Sequence, residues 1–283
     1  MKFSTKRIIT LVLALSLALG AAGCGSKASS STASTGGSTE KPLEKLTIGA
    51  SPSPHAEILE SVKEQLKADG IDLVITEFTD YVMPNKALAS KDLDANYFQH
   101  LPYLTDFNAK NKTDLVSAVA VHFEPLGIYP GKTASIADIK DGATIAVPND
   151  TTNEARALGL LAAQGLFTLK AGVGLEATPK DIESNPKNIK FVELAAEQIP
   201  TSLANVDLAV INGNYALPAG LIDKVLVVED PKSEAAQKFA NIIAVRAESK
   251  DDPRIAALVK ALTSDTTRKF IEGKYGVTVV PVF

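Results

Sequence analysis

From residue 43 to the C-terminus the sequence predicts an α/β protein, and three observations carry that prediction. Short β-branched runs alternate with helical patterns along the whole segment, the rhythm of strand–helix units laid into a mostly parallel sheet. Hydrophobic residues make up 45% of the chain and charged residues 22%, a balance that excludes both a disordered tail and a polytopic membrane protein. No repeat recurs at roughly 20–50 residues, which argues against solenoids and propellers. About 240 residues are enough for one large or two medium domains with a real core.

The strand candidates, in order, are residues 46–50, 71–76, 115–121, 144–147, 189–194, 208–211, 225–228 and 242–245, each short, apolar and rich in Val and Ile. Between the first two, Ser53 and Pro54 suit a cap and a first helical residue. Ile58, Leu59, Val62 and Leu66 then share one face, and Gly70 ends the helix. Residues 153–164 repeat the grammar, gathering Ala155, Leu158, Leu161 and Ala162 before Gly165. Asp252 and Pro253 open a last helix that carries Ile255, Leu258, Val259 and Leu262. Residues 122–127 and the stretch around 231–241 break the rhythm and suit crossings between two lobes.

The N-terminus is a separate matter. Lys2, Lys6 and Arg7 precede an uncharged apolar run over residues 8–19 and then Gly20-Ala21-Ala22-Gly23-Cys24. The run is shorter than the roughly 20 residues of a spanning helix and is built like a signal peptide. Cys24 is the single cysteine, so an internal disulfide is excluded and the thiol needs another use. Ala21-Ala22-Gly23-Cys24 resembles a bacterial lipobox, with Ala21 where Leu is more usual, which implies cleavage before Cys24 and acylation of its sulfur. More than one acyl chain gives lasting membrane attachment. Residues 1–23 then form the lipoprotein signal peptide, and 24–42, nearly all small and polar, a flexible tether. Removing Lys2, Lys6 and Arg7 with the signal moves the formal charge from −4 to −7. A mildly acidic chain without a Lys/Arg block has no footprint for nucleic acid.

Catalysis is not signalled: GxSxG, GxxxxGK[ST], HExxH and a post-strand GxGxxG are all missing, so the expectation is a protein that is not an enzyme and has no cofactor. His55, His100 and His122 have spacings that fit no local metal motif, and no metal is expected. Polar and aromatic groups do cluster after strand candidates, where open α/β sheets bind ligands. The four places are Glu77 to Asn85, Tyr97 to Tyr103, Pro148 to Arg156, and Asn212 to Tyr215. Asn153 and Arg156 share a face at a helix N-terminus, a place that favours anions. A guanidinium there can clasp a carboxylate bidentately, or pair with a nearby side chain such as Glu154. Tyr81, Phe98, His100 and Tyr103 can wall a slot for an apolar or thioether group, or pack as ordinary core. Asn212 can hold a polar head group or form a turn before Gly213.

Four ordered segments carry a resemblance: Asp80-Tyr81-Val82-Met83-Pro84-Asn85, then residues 94–104, then residues 146–156, then Leu208-Ala209-Val210-Ile211-Asn212. Together with Cys24 and Asn185-Pro186-Lys187-Asn188, they are similar to the NlpA/MetQ family of methionine-binding lipoproteins. The resemblance implies a two-lobed, periplasmic-binding-protein-like clamshell of type II with the ligand cleft between the lobes. Residues 43–122 plus 245–283 would form lobe 1 and residues 123–244 lobe 2. By motif position, Arg156 would bind the ligand carboxylate with help from Asn153, Asn212 the head group, and Tyr81, Phe98 and His100 the side chain. The family implies L-methionine as ligand and the permease and ATPase subunits of an ABC importer as partners. The expected protein is a monomer anchored by lipid to the extracytoplasmic face of the cell membrane. A methionine-containing dipeptide such as Gly-Met, for which residues 122–126 near the hinge are the place to look, is the alternative within the class. A lipid-anchored surface interaction protein is the alternative outside it.

Overall fold

A computed structural model describes residues 42–232 and 237–283; the signal peptide, Cys24 and nearly all of the tether lie outside the described residues. Along the chain, β1 (Glu44–Ala50) leads through a short turn into α1 (Glu57–Ser61) and α2 (Lys63–Ala68), then β2 (Ile71–Glu77), α3 (Met83–Ala89), β3 (Ala95–His100), α4 (Leu101–Asn111) and β4 (Leu115–Phe123). The chain crosses to β5 (Gly127–Pro130), β6 (Thr144–Pro148), α5 (Thr151–Ala163), β7 (Thr168–Leu169), β8 (Ile182–Ser184), β9 (Lys190–Leu194), α6 (Ile199–Ser202), β10 (Leu208–Ile211), α7 (Gly213–Ala216) and β11 (Val227–Val228). It returns in β12 (Asn241–Arg246), α8 (Pro253–Leu262), α9 (Asp265–Tyr275) and β13 (Val280–Pro281).

Two large sheets result, one per lobe, in the strand orders β13-β4-β12-β3-β1-β2 and β11-β5-β10-β6-β9, beside a small antiparallel pair β7-β8. Both faces of each large sheet are covered, so the strands alternate between two cores rather than between core and solvent. In β12, Ile243 and Val245 join the helices α1, α2, α8 and α9 on one face, while Ile242 and Ala244 join Phe98, Leu104 and Phe107 on the other. In β10, Leu208 and Val210 pack with α5, and Ala209 and Ile211 pack with Ile199 and Ala216.

The structure corrects three expectations. The sheets are mixed, not mostly parallel: β1 pairs in parallel with β2 and β3, and β6 with β9 and β10, but β12 is antiparallel to both β3 and β4. The cause is the second crossing, because a strand that returns from the other lobe enters the first sheet from the opposite end. For the same reason a boundary between residues 244 and 245 would cut β12, whose pairing with β4 starts at Asn241. Third, residues 95–100 are a strand. Its Asn96 and Gln99 are buried and hid the pattern, but they satisfy each other and Asn85. Asn85 donates to Gln99 Oε1 at 2.8 Å, and Asn96 and Gln99 donate to Asn85 Oδ1 at 2.8 and 2.7 Å. A buried polar strand is stable when such a network is complete.

Candidate ligand cleft

Three strand ends and two crossings meet at the junction of the lobes. Register places Asn241 beside both His100 and His122, so the first residue of β12 sits between the ends of β3 and β4. From the other lobe, β6 and β10 deliver the start of α5 and Asn212. Together these enclose a small cavity of about 30 Å3 lined by Tyr81, Phe98, His100, Asn153, Arg156 and Asn212, with Gln99, Tyr103, Glu124, Gly213, Asn214 and Asn241. All six residues singled out from the sequence therefore face one space, which as it stands has room for little more than water.

The polar groups are oriented by specific bonds. His100 caps α4, its Nδ1 accepting the Tyr103 N–H at 3.2 Å, which leaves the proton on Nε2. That Nε2 donates to Asn153 Oδ1 at 3.2 Å, across the cleft. Burial and the Arg156 charge push the His100 imidazole down to about 3, so it is neutral, as the bonding requires. Asn153 Nδ2 donates to both Asp150 oxygens at 2.9 and 3.0 Å, and Asp150 also caps α5 by accepting the Asn153 N–H at 3.0 Å. Asn212 Nδ2 donates to Asn153 Oδ1 at 3.1 Å. Its own Oδ1 is buried without a hydrogen-bond partner among the described residues, an acceptor that a ligand N–H would satisfy.

Arg156 is not bare. Its Nε donates to Glu229 Oε1 at 2.7 Å, its Nη2 to Glu229 Oε2 and, at 3.0 Å, to the Glu124 carbonyl. Its guanidinium lies 4.5 Å from the Phe239 ring centre and 5.5 Å from that of Phe123, the aromatic residues of the two crossings. The carboxylate partner is thus Glu229, and Glu154 instead lies against Glu193. On the apolar side, Tyr81 and Phe98 have ring centres 6.0 Å apart and Tyr81 and Tyr103 likewise. Tyr81 donates to Asn214 Oδ1 at 2.5 Å, and Tyr215 to the Thr79 carbonyl at 2.9 Å, so two tyrosines hold the lobes together.

Sequence reasoning placed Gln99 and Asn214 in its candidate stretches and Glu124 in the hinge stretch without giving them roles, and it missed Asn241 and Glu229. Glu124 had a signal, a carboxylate two residues after His122 in an apolar run. Asn241 and Glu229 had none, because only the returning strand and the edge strand β11 bring them to the cleft. Two of the three scattered histidines, His55 and His122, do converge, with Glu124, their ligating atoms within 4.8 Å of one another. The Tyr97 hydroxyl occupies His122 Nδ1, and His122 Nε2 donates to Glu124 Oε1 at 2.8 Å, so that ring has no lone pair turned toward the carboxylate.

The sequence profile of the NlpA lipoprotein family matches residues 46–283. The methionine-binding lipoprotein MetQ of Bacillus subtilis is 42% identical over 248 residues, 86% of this chain and 90% of that one. The membrane lipoprotein TpN32 of Treponema pallidum is 40% identical over 235 residues, 82% and 86% of the two chains. Among solved structures, a nutrient-binding protein of Burkholderia cenocepacia bound to methionine superposes with a TM-score of 0.80 at 43% identity, covering 84% of this chain and all of its own. Motifs, two-lobed fold and these likenesses agree: the chain belongs to the NlpA lipoprotein family.

Proposed function

We propose that this chain is the non-catalytic solute receptor of an ABC importer and that its solute is L-methionine. The observation that carries the reading is the convergence of Tyr81, Phe98, His100, Asn153, Arg156 and Asn212 on one cavity at the lobe junction. The relatives' names support it, since the Bacillus protein is called methionine-binding and the Burkholderia structure contains methionine. Chemistry matches as well. The thioether meets the aromatic wall of Tyr81 and Phe98, where sulfur is favoured. The carboxylate meets the face of Arg156 that Glu229 leaves open, and the head group meets the orphaned Asn212 oxygen.

The strands of the first sheet, within residues 44–123 and 241–281, belong to one lobe, and those of the second, within residues 127–228, to the other. A ligand that touches both lobes favours the closed form, and that form offers the permease a surface the open one lacks. Acylation of Cys24 keeps the receptor at the extracytoplasmic face of the membrane, with residues 25–42 as its tether. No described helix is long and apolar enough to cross a membrane. The test is calorimetric titration of the protein, unfolded and refolded to remove carried-over ligand, with L-methionine and then Gly-Met. One-to-one binding of methionine at about 1 μM or tighter, some 8 kcal/mol, is expected. Preference for Gly-Met would move the reading to dipeptides, and binding of neither would overturn it.

A further inference from the structure

Glu124 is a buried carboxylate with no cation of its own. It is 6% exposed and lines the cavity. Its nearest cation, Arg156, is taken up by Glu229 and reaches Glu124 only at the main-chain carbonyl. Two imidazoles stand against it: His122 Nε2 donates to Oε1 at 2.8 Å, and His55 Nε2 lies 3.4 Å from the same oxygen. Neither brings charge, because burial pushes His55 down to about 4 and His122 to about 3. His122 is fixed in turn by Tyr97, whose hydroxyl engages Nδ1, and His55 by Asn241 Oδ1 at 3.0 Å. The other carboxyl oxygen abuts Gly213 so closely that a Cβ there would come within 2.9 Å of it. Asn212, the neighbour of that glycine, carries the unpartnered acceptor in the same cavity. The Asn214 N–H and the Arg156 charge favour its ionised form, but burial outweighs them, so the carboxyl is suited to take up a proton or a cation.

We propose that Glu124, oriented by the Tyr97–His122 pair, is the anionic receptor for the ligand's α-ammonium group, and that the arriving ammonium displaces a proton from this carboxyl to solvent. The inference rests on the reading of the cavity as an amino-acid site and adds to it a residue outside the resembling motifs. The empty receptor carries Glu124 as the acid, and the complex carries a carboxylate paired with an intact ammonium. Burial pushes the Glu124 carboxyl up to about 7, so the exchange falls near neutral pH. The imidazoles and phenols around it do not titrate there. His55, His122 and His100 lie below pH 5, and Tyr81, Tyr97 and Tyr275 are raised above the ordinary tyrosine value. Asp150, pushed up by burial though held by Asn153, and Glu154, raised by burial and Glu193, are the competing carboxyls, and their effect would survive removal of Glu124.

The experiment is calorimetry of refolded protein with L-methionine between pH 5 and pH 8, in pairs of buffers with different ionisation enthalpies, which counts protons. Close to one proton released per ligand at pH 5–6, falling toward zero at pH 8, is expected. Affinity should fall about a hundredfold from pH 8 to pH 5, following one carboxyl of pKa about 7. Glu124→Gln should abolish the release, flatten the pH profile, and shrink the preference for methionine over its deamino analogue 4-(methylthio)butanoate. Tyr97→Phe should shift the midpoint of the profile while methionine still binds, which a purely structural role would not produce. Methionine binding without proton exchange, or a Glu124→Gln variant as pH-dependent as the parent, overturns the inference and leaves the functional reading standing. If Glu124→Gln does not fold, the proton count of the parent decides. Failure of methionine to bind at any pH overturns the functional reading, and the inference with it.

Discussion

Arg156 does two jobs through one guanidinium. Its Nε and Nη2 neutralise Glu229, its plane lies over Phe239, and its remaining edge is proposed to receive the ligand carboxylate. Truncation therefore leaves a buried carboxylate unpaired as well as a ligand unclasped. Arg156→Ala is expected to cost about 3–5 kcal/mol of stability, the usual loss when one member of a buried pair is removed, and to weaken methionine binding by several kcal/mol. Urea unfolding and calorimetry read the two losses separately. In the double variant with Glu229→Ala, stability should recover in part while binding does not; binding near the parental level in either variant would sink the carboxylate assignment. Arg156 was legible from its spacing, three residues after Asn153 on one helical face; the structure places it in the second turn of α5, beyond the reach of the end of the helix dipole. That the resident partner is Glu229 was not legible, because 73 residues and the edge strand β11 separate them. The same holds for His55, His122 and Glu124, which no sequence spacing could bring together.

At the scale of elements, α5 shows how local sequence places a site. Asp150 caps its N-terminus and the same carboxylate anchors Asn153, so helix start and cleft residue are set by one side chain. The sequence reading began this helix at Asn153, two residues after its actual start at Thr151, because Asn is itself a good cap. β3 was the costlier omission, since its six residues include two amides and a histidine whose partners lie on other elements. α5 also carries Glu154, which burial and the adjacent Glu193 of β9 push well above the ordinary glutamate range. A carboxyl raised in the folded state contributes full stability below its unfolded value and loses it as pH rises through the folded one. Glu154→Gln should therefore raise the melting temperature at pH 8–9, with little change near pH 4, and flatten the profile between. An equal shift at both pH values in differential scanning calorimetry would contradict this origin.

At the scale of the whole molecule, alternation of strands and helices identified the fold class, but the path of the chain between lobes was invisible to it. Periodicity reports which faces are buried, not which sheet a strand joins, so the antiparallel return of β12 emerged only from pairing. The two crossings, β4 to β5 and the passage into β12, carry Phe123, Glu124, Phe239 and Asn241, and Tyr81 on Asn214 and Tyr215 on Thr79 tie the lobes by hydrogen bonds. The lobes are thus joined both by the chain itself and by hydrogen bonds that closure on a ligand would form and release would break. Small-angle scattering should accordingly give a smaller radius of gyration with saturating methionine than without it, and an unchanged radius would argue against closure on the ligand.

The most direct test of the account is a crystal structure of the refolded protein grown with L-methionine. The account predicts one methionine between the lobes, its carboxylate on Arg156, its ammonium between Glu124 and the Asn212 oxygen, and its sulfur against Tyr81 and Phe98. A methionine bound elsewhere, or one seated in the cleft with its ends reversed, would contradict it.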